Sequence, residues 1–489
     1  MDNTATTPVP ELRPTLERLR AAWQARKPDR AQRSADLLRL REALKRRLEE
    51  MAQTIAADFG HRSPHESRIA DGMTVLNEID HLRQHLRGWM KPRRVGVGWR
   101  FWPARAEIRP EPVGVVGVIS PWNYPVNLAL IPLATAIAAG NHVYLKPSEH
   151  TPRTSAFLRD LLAEVFPADR VAVAEGGAEV ASAFAALPFD HLVFTGSTAV
   201  GRKVMAAAAP NLTPLTLELG GKSPHIVFAD HAFDGRLELG GKSPAIVCDD
   251  YPLQQAAARL ATGKWFNCGQ TCIAPDYVLV GTARRDALVQ ALREQVRARY
   301  GEGFADTGDY SRIINDGQYA RLQGYVDDAR ARGLEVIALG EADPAQRLFP
   351  PTLVLEPGDD AKVMQEEIFG PVFPIRSVGS LDEAIAYVNA HDRPLALYPF
   401  SHDRASVEKI LRGTLAGGVS VNDTLFHFAI NNLPFGGIGA SGMGAYHSRT
   451  GFDAMSKQLP ILWQARRTGG DLLKPPYKKA QWLIDLIVR

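Results

Sequence analysis

Three kinds of residue in this chain have the types and surroundings to do covalent chemistry. The first is a thiol. In Phe266-Asn267-Cys268-Gly269-Gln270-Thr271-Cys272, an apolar, helix-like run from Leu260 to Phe266 leads into a glycine-containing turn that ends on Cys272. Such a turn presents one sulfur at a fixed point and aims backbone N–H groups at it, which favours the nucleophilic thiolate. The second is an amide. Asn123 lies in Pro121-Trp122-Asn123-Tyr124-Pro125, just beyond an apolar run from Val113 to Ile119, and the flanking prolines stiffen the loop that carries it. The third is a carboxylate that occurs twice. Leu217 to Asp230 reads LELGGKSPHIVFAD and Leu237 to Asp250 reads LELGGKSPAIVCDD, identical at 11 of 14 positions and offset by 20, so Glu218 and Glu238 hold equivalent places. Singly, each has a plainer explanation: a cysteine is more often apolar filler and an asparagine in a turn more often a turn residue.

The elements that must position these groups are legible as periodic patterns. Leu37, Leu40, Leu44, Leu48, Met51 and Ile55 recur at helical spacing, which predicts one helix over 34–60 with Ser34 as N-cap and Gly60 as stop, and a second helical stretch to about Trp89. Lys91 to Pro112 suggests a hairpin or bridging arm. From Val113 onward, short apolar strands alternate with helices: 113–119, 142–145, 171–174, 192–195 and 215–219, with Thr151 capping one helix. A second alternating region follows, with a helix over 253–266, a strand at 277–280 and a last strand at Val419 to Asn422. This pattern predicts parallel sheets covered by helices on both faces, which bind ligands beyond the carboxyl ends of their strands. Phe194-Thr195-Gly196-Ser197-Thr198-Ala199-Val200-Gly201 reads as a glycine turn between strand and helix, suited to a phosphate at a helix N-terminus.

The Cys272 segment resembles the active-site signature of the aldehyde dehydrogenases, and further motifs resemble that family in order from about residue 105 to about residue 457. The resemblance implies two doubly wound α/β parallel-sheet domains plus a bridging, oligomerisation arm. Its boundaries here are a helical part of the cofactor domain over 1–90, the arm over 91–112, a Rossmann-like NAD-binding domain over 113–219, a catalytic domain over 220–422, and a return segment with bridging strand and tail over 423–489. It implies oxidation of an aldehyde to an acid through a cysteine thiohemiacetal and thioester. Asn123 would then supply, with the Cys272 N–H, the oxyanion donors. Trp122, Thr195, Gly196, Ser197, Lys146, Glu149, Glu367 and Phe369 would hold the dinucleotide. A carboxylate at Glu149 suits the free 2′-hydroxyl of NAD, although rotation of its side chain leaves NADP possible. The segments Leu433 to His447 and Phe59-Gly60-His61-Arg62-Ser63-Pro64-His65-Glu66 are similar to the class-three branch, and the latter to its coniferyl aldehyde group in particular.

The resemblance makes the glutamate of LELGGKSP the base for thioester hydrolysis, and the duplication offers two. Glu238 lies 272 − 238 = 34 residues before the cysteine and Glu218 lies 218 − 196 = 22 after Gly196, so each copy has the family interval to one neighbour only. Leu215-Thr216-Leu217-Glu218-Leu219 has better strand character than the Asp234-Gly235-Arg236 turn before the second copy, which favours Glu218 and makes the second copy a surface insertion. Two alternatives stay open: an acylating enzyme that passes the thioester to coenzyme A, and a dinucleotide-binding protein impaired by the duplication.

Composition narrows the rest. In 489 residues, 57 basic against 54 acidic side chains give a net charge of +3, too small to indicate nucleic acid. Three cysteines argue against a disulfide framework and for a reducing, cytoplasmic setting, and no clustered His or Cys suggests a metal. Met1 to Pro10 carries no signal-peptide core. The basic then apolar tail from Lys474 reads as a packed helix, with contact to a membrane surface as the weaker alternative, and the arm and tail together suggest a homodimer.

Overall fold

The computed structural model describes residues 6–466 apart from 99–100, 221–241, 302–303 and 305–306, and residues 475–476, 481–482 and 485 of the tail. Strand β1 (Arg93–Val95) pairs antiparallel with β2 (Arg105–Pro112) to begin the bridging sheet. The chain then enters an α/β unit through β3 (Val115–Ile119), β4 (His142–Lys146), β5 (Val171–Val173), β6 (His191–Ser197) and β7 (Leu215–Gly220). A second unit contains β8 (Pro244–Val247), β9 (Tyr277–Gly281), β10 (Val336–Ala338), β11 (Thr352–Leu355), β12 (Val372–Val378), β13 (Ala396–Phe400) and β14 (Gly418–Val419). The chain finally returns: β15 (Gly442–Met443) adds antiparallel to β7, and β16 (Ser456–Trp463) pairs along the whole of β2. The three sheets have the orders β1-β2-β16, β15-β7-β6-β3-β4-β5 and β10-β11-β12-β9-β8-β13-β14. In the two large sheets the pairs are parallel except at β15 and β10.

Residues of β3 and β4 are buried on both faces, as parallel strands under helices must be. The helix Asn127–Ala139 is buried at every position and ends at Gly140, whose φ of 96° suits a residue without Cβ. Buried Arg33 donates to the carbonyls of Ala138 (3.2 Å) and Ala139 (2.9 Å), satisfying that C-terminus with a cation.

Four local expectations need correction. The helix expected over 34–60 is two, Arg30–Arg46 and Leu48–Phe59, and its cap is Asp29, whose carboxylate accepts from the Gln32 N–H at 2.8 Å. Helical periodicity persists across the kink at Arg47, so apolar spacing alone hides it. Thr151 precedes the helix Pro152–Val165 but makes no side-chain cap; Asp58, remote in sequence, accepts from the N–H groups of Arg153 and Thr154 instead. The strand expected at 419–422 shortens to Gly418–Val419, because Asn422 adopts a left-handed φ of 58°. Thr195-Gly196-Ser197 is not a turn: β6 runs through Ser197, whose hydroxyl then caps the helix Thr198–Ala208 by accepting from the Val200 N–H at 3.4 Å.

Candidate active site

Cys272 lies on the loop between the helix Leu253–Trp265 and β9. Asn267, Cys268 and Gly269 are all left-handed, with φ of 51°, 54° and 73°, an uncommon run that the surroundings must impose. At Gly269 a Cβ would strike the Gly370 carbonyl, so only glycine fits. Gln270 pins the loop from within: its amide donates to the carbonyls of Asn267 (3.1 Å) and Arg312 (3.0 Å) and accepts from the Ile314 N–H (3.0 Å). Buried Glu66 grips it from the N-terminal helices, accepting the Asn267 N–H at 3.2 Å and the Ser311 hydroxyl at 2.8 Å.

Asn123 is buried against this loop, its side-chain amide donating to the Gln270 carbonyl at 3.2 Å. Its own carbonyl accepts from Arg62 Nη1 (3.1 Å) and from the Asn267 amide (3.0 Å). Arg62 is fully buried, pairs with Asp71 at 3.2 Å and lies over the Phe59 and Tyr124 rings. Tyr124 in turn shares a 2.6 Å hydrogen bond with Thr271, the residue before Cys272. The Pro121–Pro125 loop is therefore fixed by buried contacts more than by its prolines. Arg62 and Glu66 stand in the Phe59–Glu66 segment quoted above but were given no role from sequence, and Asp71 was not singled out, because their partners lie far along the chain and no local spacing reports them.

Glu218 sits in β7 between Thr195 of β6 and Gly442 of β15, buried, with Oε1 lacking a hydrogen-bond partner among the described residues. Burial pushes its carboxyl up to about 8. Glu367 is also buried, with Oε2 unpartnered, and burial reinforced by Asp276 raises it to about 8 against the pull of Lys242, Arg321 and Lys264. Glu367 meets Cys272 at Gly220, where a Cβ would lie 3.2 Å from Cys272 Cβ and 3.2 and 3.3 Å from the Glu367 oxygens, and Glu218 lines the same recess as Gly220 and Cys272. Half-buried Cys272 is itself pushed well above the ordinary thiol range by burial and by both carboxylates, while the N–H groups of Cys272 and Ile273 pull it down. The aimed N–H groups expected from the turn exist, but desolvation outweighs them. Cys268 is a different kind of cysteine, buried against the Tyr310 hydroxyl at 3.3 Å and raised to about 12 by that burial.

Glu238 lies outside the described residues. The described part of the second copy is nevertheless not a surface insertion: Lys242 to Val247 are buried, and Pro244–Val247 form β8, an interior strand of the seven-stranded sheet. What sequence spacing missed is that the first copy can end one sheet while the second begins the other.

A groove of about 310 Å³ runs beyond the carboxyl ends of β3, β4 and β6, lined by Trp122, Lys146, Glu149, Thr195, Gly196 and Ser197 among others, and a smaller recess joins it to Cys272, Glu218 and Phe369. Buried Lys146 donates to the Pro147 carbonyl (3.0 Å) and meets exposed Glu149 at 3.3 Å. Phe369 has a strained φ of 46° and stands edge-on to Trp122 at 5.3 Å. The groove and recess lead toward Gly220, beside which stands a Glu367 carboxylate with one oxygen unpartnered among the described residues, an arrangement that fits a dinucleotide whose ribose hydroxyl could supply the missing donor. Among the described residues, no cluster of His, Cys, Asp and Glu could hold a metal, and no helix is long and apolar enough to cross a membrane.

The sequence pattern of the aldehyde dehydrogenase family matches this chain as two pieces, residues 16–236 and 231–459, which overlap inside the duplication. A protein of Pseudomonas aeruginosa named "Probable coniferyl aldehyde dehydrogenase" is 46% identical over 473 residues, covering 96% of this chain and 95% of its own. The "Coniferyl aldehyde dehydrogenase" of Pseudomonas sp. strain HR199 is 41% identical over 489 residues, covering 98% and 96%. Among solved structures, the substrate-bound state of Staphylococcus aureus AldH superposes with a TM-score of 0.90 at 35% identity over 99% of this chain and 100% of that one. Mycobacterium tuberculosis aldehyde dehydrogenase complexed with NAD+ gives 0.80 at 27% identity over 95% and 92%. The family's pattern, the whole-length relatives and the α/β architecture agree: this chain belongs to the aldehyde dehydrogenase family and is an NAD(P)-dependent enzyme of aldehyde oxidation.

Proposed function

We propose that the chain oxidises an aromatic aldehyde of the coniferyl type to its carboxylic acid, with Cys272 as nucleophile, Asn123 as oxyanion donor and Glu218 as base. The observation that carries this reading is the convergence of Cys272, Glu218 and Glu367 around Gly220, with one oxygen of each carboxylate unpartnered. Two whole-length relatives with coniferyl aldehyde in their names support the substrate class.

The thiol proton leaves to Glu218 as sulfur bonds to the carbonyl carbon, and the carbonyl oxygen becomes an alkoxide facing the Asn123 amide and the Cys272 N–H. NAD(P), when bound, accepts the hydride that the resulting thiohemiacetal loses. Trp122, Thr195, Gly196, Ser197, Lys146, Glu149, Glu367 and Phe369 hold it, and the carboxylate of Glu149 favours NAD over NADP. Having released the first proton to solvent, Glu218 takes a proton from water attacking the thioester and returns it to the departing thiolate, which frees the acid and restores the thiol. A buried carboxyl raised to about 8 suits that task. The same geometry disfavours a protein that has lost its base, and it disfavours an acylating enzyme, since a hydrolytic base stands beside the sulfur.

The protein acts as a cytoplasmic homodimer in this reading. β16 has a free edge and carries exposed Leu459, Leu462 and Trp463, with Trp102 exposed nearby on the same arm, an apolar strip suited to a second copy. A helical tail from Lys474, including any membrane contact, lies largely outside the described residues.

The test is a screen of aliphatic, benzyl and cinnamyl aldehydes with NAD and NADP, counting NADH per subunit for the native protein and Cys272→Ser. Many equivalents with cinnamyl aldehydes and none from the variant support the reading. Full turnover by Cys272→Ser ends it. Glu218→Gln and Glu238→Gln compared for deacylation then decide the base, and equal loss in both would reject a single one.

A further inference from the structure

We propose that the tandem duplication is read across its two copies, the first delivering the base Glu218 and the second delivering Lys242 as the residue that positions the Glu366–Phe369 segment at the cofactor site. This rests on the roles given above to Glu218 and Glu367.

The described chain leaves the first copy at Gly220, the end of β7, and re-enters in the second copy at Lys242, just before β8. Lys242 is buried; its ammonium donates to the carbonyls of Val363 (3.0 Å) and Glu366 (2.7 Å) and forms an ion pair with the carboxylate of Asp276. Asp276 passes the hold onward by accepting the Ile368 N–H at 3.0 Å. From the other side Arg321 donates to the carbonyls of Glu367 (3.3 Å) and Ile368 (2.8 Å), and Tyr325 donates to the Glu366 carboxylate at 2.8 Å. The strained Phe369 and the unpartnered Glu367 carboxylate thus stand on a segment clamped from two sides, with Lys242 the cation of one side.

The copies are not interchangeable at β8. Through the proline they are identical, but the second has Ala245 and Cys248 where the first has His225 and Phe228. Ala245 has no exposed surface and is flanked by β9 and β13, opposite Val278 and Tyr398. An imidazole there would overpack a site filled by a methyl group and bury ring nitrogens without partners. The core therefore selects the second copy for β8 and with it Lys242.

Two excisions test this. Removing 221–240 leaves LELGGKSPAIVCDD, removing 231–250 leaves LELGGKSPHIVFAD, and both restore an interval of 54 − 20 = 34 between Glu218 and the nucleophile. The first excision is expected to keep kcat and the KM for NAD within about threefold and to leave Tm no lower, and the second to lower Tm. Equal Tm and activity for the two, or failure of the first to fold, overturns the proposal. In the full chain, Lys242→Met should raise the KM for NAD by roughly tenfold or more with a smaller change in kcat, while Lys222→Met leaves both unchanged. If Lys242→Met does not fold, the double variant Lys242→Met with Asp276→Asn removes the orphaned charge, and its NAD-induced thermal shift is read instead. A full native shift or KM in the Lys242 variants, or equal damage from Lys222→Met, overturns the positioning role. A failure of Glu218 as base would appear in the rates of acylation and deacylation of the Glu218→Gln variant and leave the KM comparison standing.

Discussion

Glu218→Gln isolates the base. The substitution keeps the shape of a fully buried side chain and removes only its ability to accept a proton, so the fold should survive. With a carboxyl raised to about 8, roughly a tenth of the wild-type sites are ionised at pH 7 and most are at pH 9. A positioned base contributes on the order of 10²–10⁴ in rate when ionised. The wild-type to variant ratio for deacylation should therefore be about 10–10³ at pH 7 and about tenfold larger at pH 9. Wild-type kcat should rise about tenfold per pH unit below 8 where deacylation limits, and the variant should be flat. Rapid-mixing measurement of NADH would show the variant releasing one equivalent per subunit in a burst and then stalling. A variant that keeps a limb near pH 8, or that shows no burst with acylation intact, would refute the assignment and turn attention to Glu367, whose carboxyl is raised to a similar value.

Neutralising either buried carboxylate should also stabilise the protein in alkali. Folded values near 8 against about 4.5 unfolded mean that stability falls as pH rises between these values, so Glu218→Gln and Glu367→Gln should raise Tm at pH 9 and leave it unchanged at pH 4. Calorimetry at the two pH values checks the sign. Asn123→Ala should lower kcat by about 10²–10³, close to 3 kcal/mol of barrier, with little change in KM, as steady-state kinetics would show. Arg62→Met leaves Asp71 buried without its cation and should cost roughly 3–5 kcal/mol in denaturant unfolding, more than any effect on cofactor affinity.

How much of this was legible depends on where each group finds its partners. β3 and β4 are apolar runs because both faces are covered, so sequence reports them directly. The Cys272 loop was legible through Gly269, whose conformation only glycine tolerates. The layer that holds it was not. Glu66 reaches Asn267 and Arg62 reaches Asn123 across 201 and 61 residues, contacts that no periodicity encodes. The Thr151 cap failed for the same reason in miniature, since Asp58 accepts instead from N–H groups 95 and 96 residues later. At the duplication, spacing was applied to each copy whole, whereas buried Glu218 in β7 comes from the first copy and buried Ala245 in β8 from the second.

With Cys272 and Glu218 in their proposed roles, the charges around the thiol favour a buried carboxyl as base. Among the described residues neither Glu218 nor Glu367 forms an ion pair, and the thiol between them is raised by both. The nearby cations face other groups: Lys242 faces Asp276 and two carbonyls, Arg62 faces Asp71 and the Asn123 carbonyl, Arg321 faces the carbonyls after Glu366, and buried Lys264 faces the Asp276 carboxylate at 3.9 Å. A cation beside Cys272 would favour the thiolate at rest, but it would also lower Glu218 and weaken it as a base for the later step. With cations one layer back, the thiol keeps its proton until a carboxylate takes it, and one group can serve at both ends of the cycle. The consequence is an enzyme whose nucleophile and base gain strength together as the medium becomes alkaline, the sense in which the first prediction must come out.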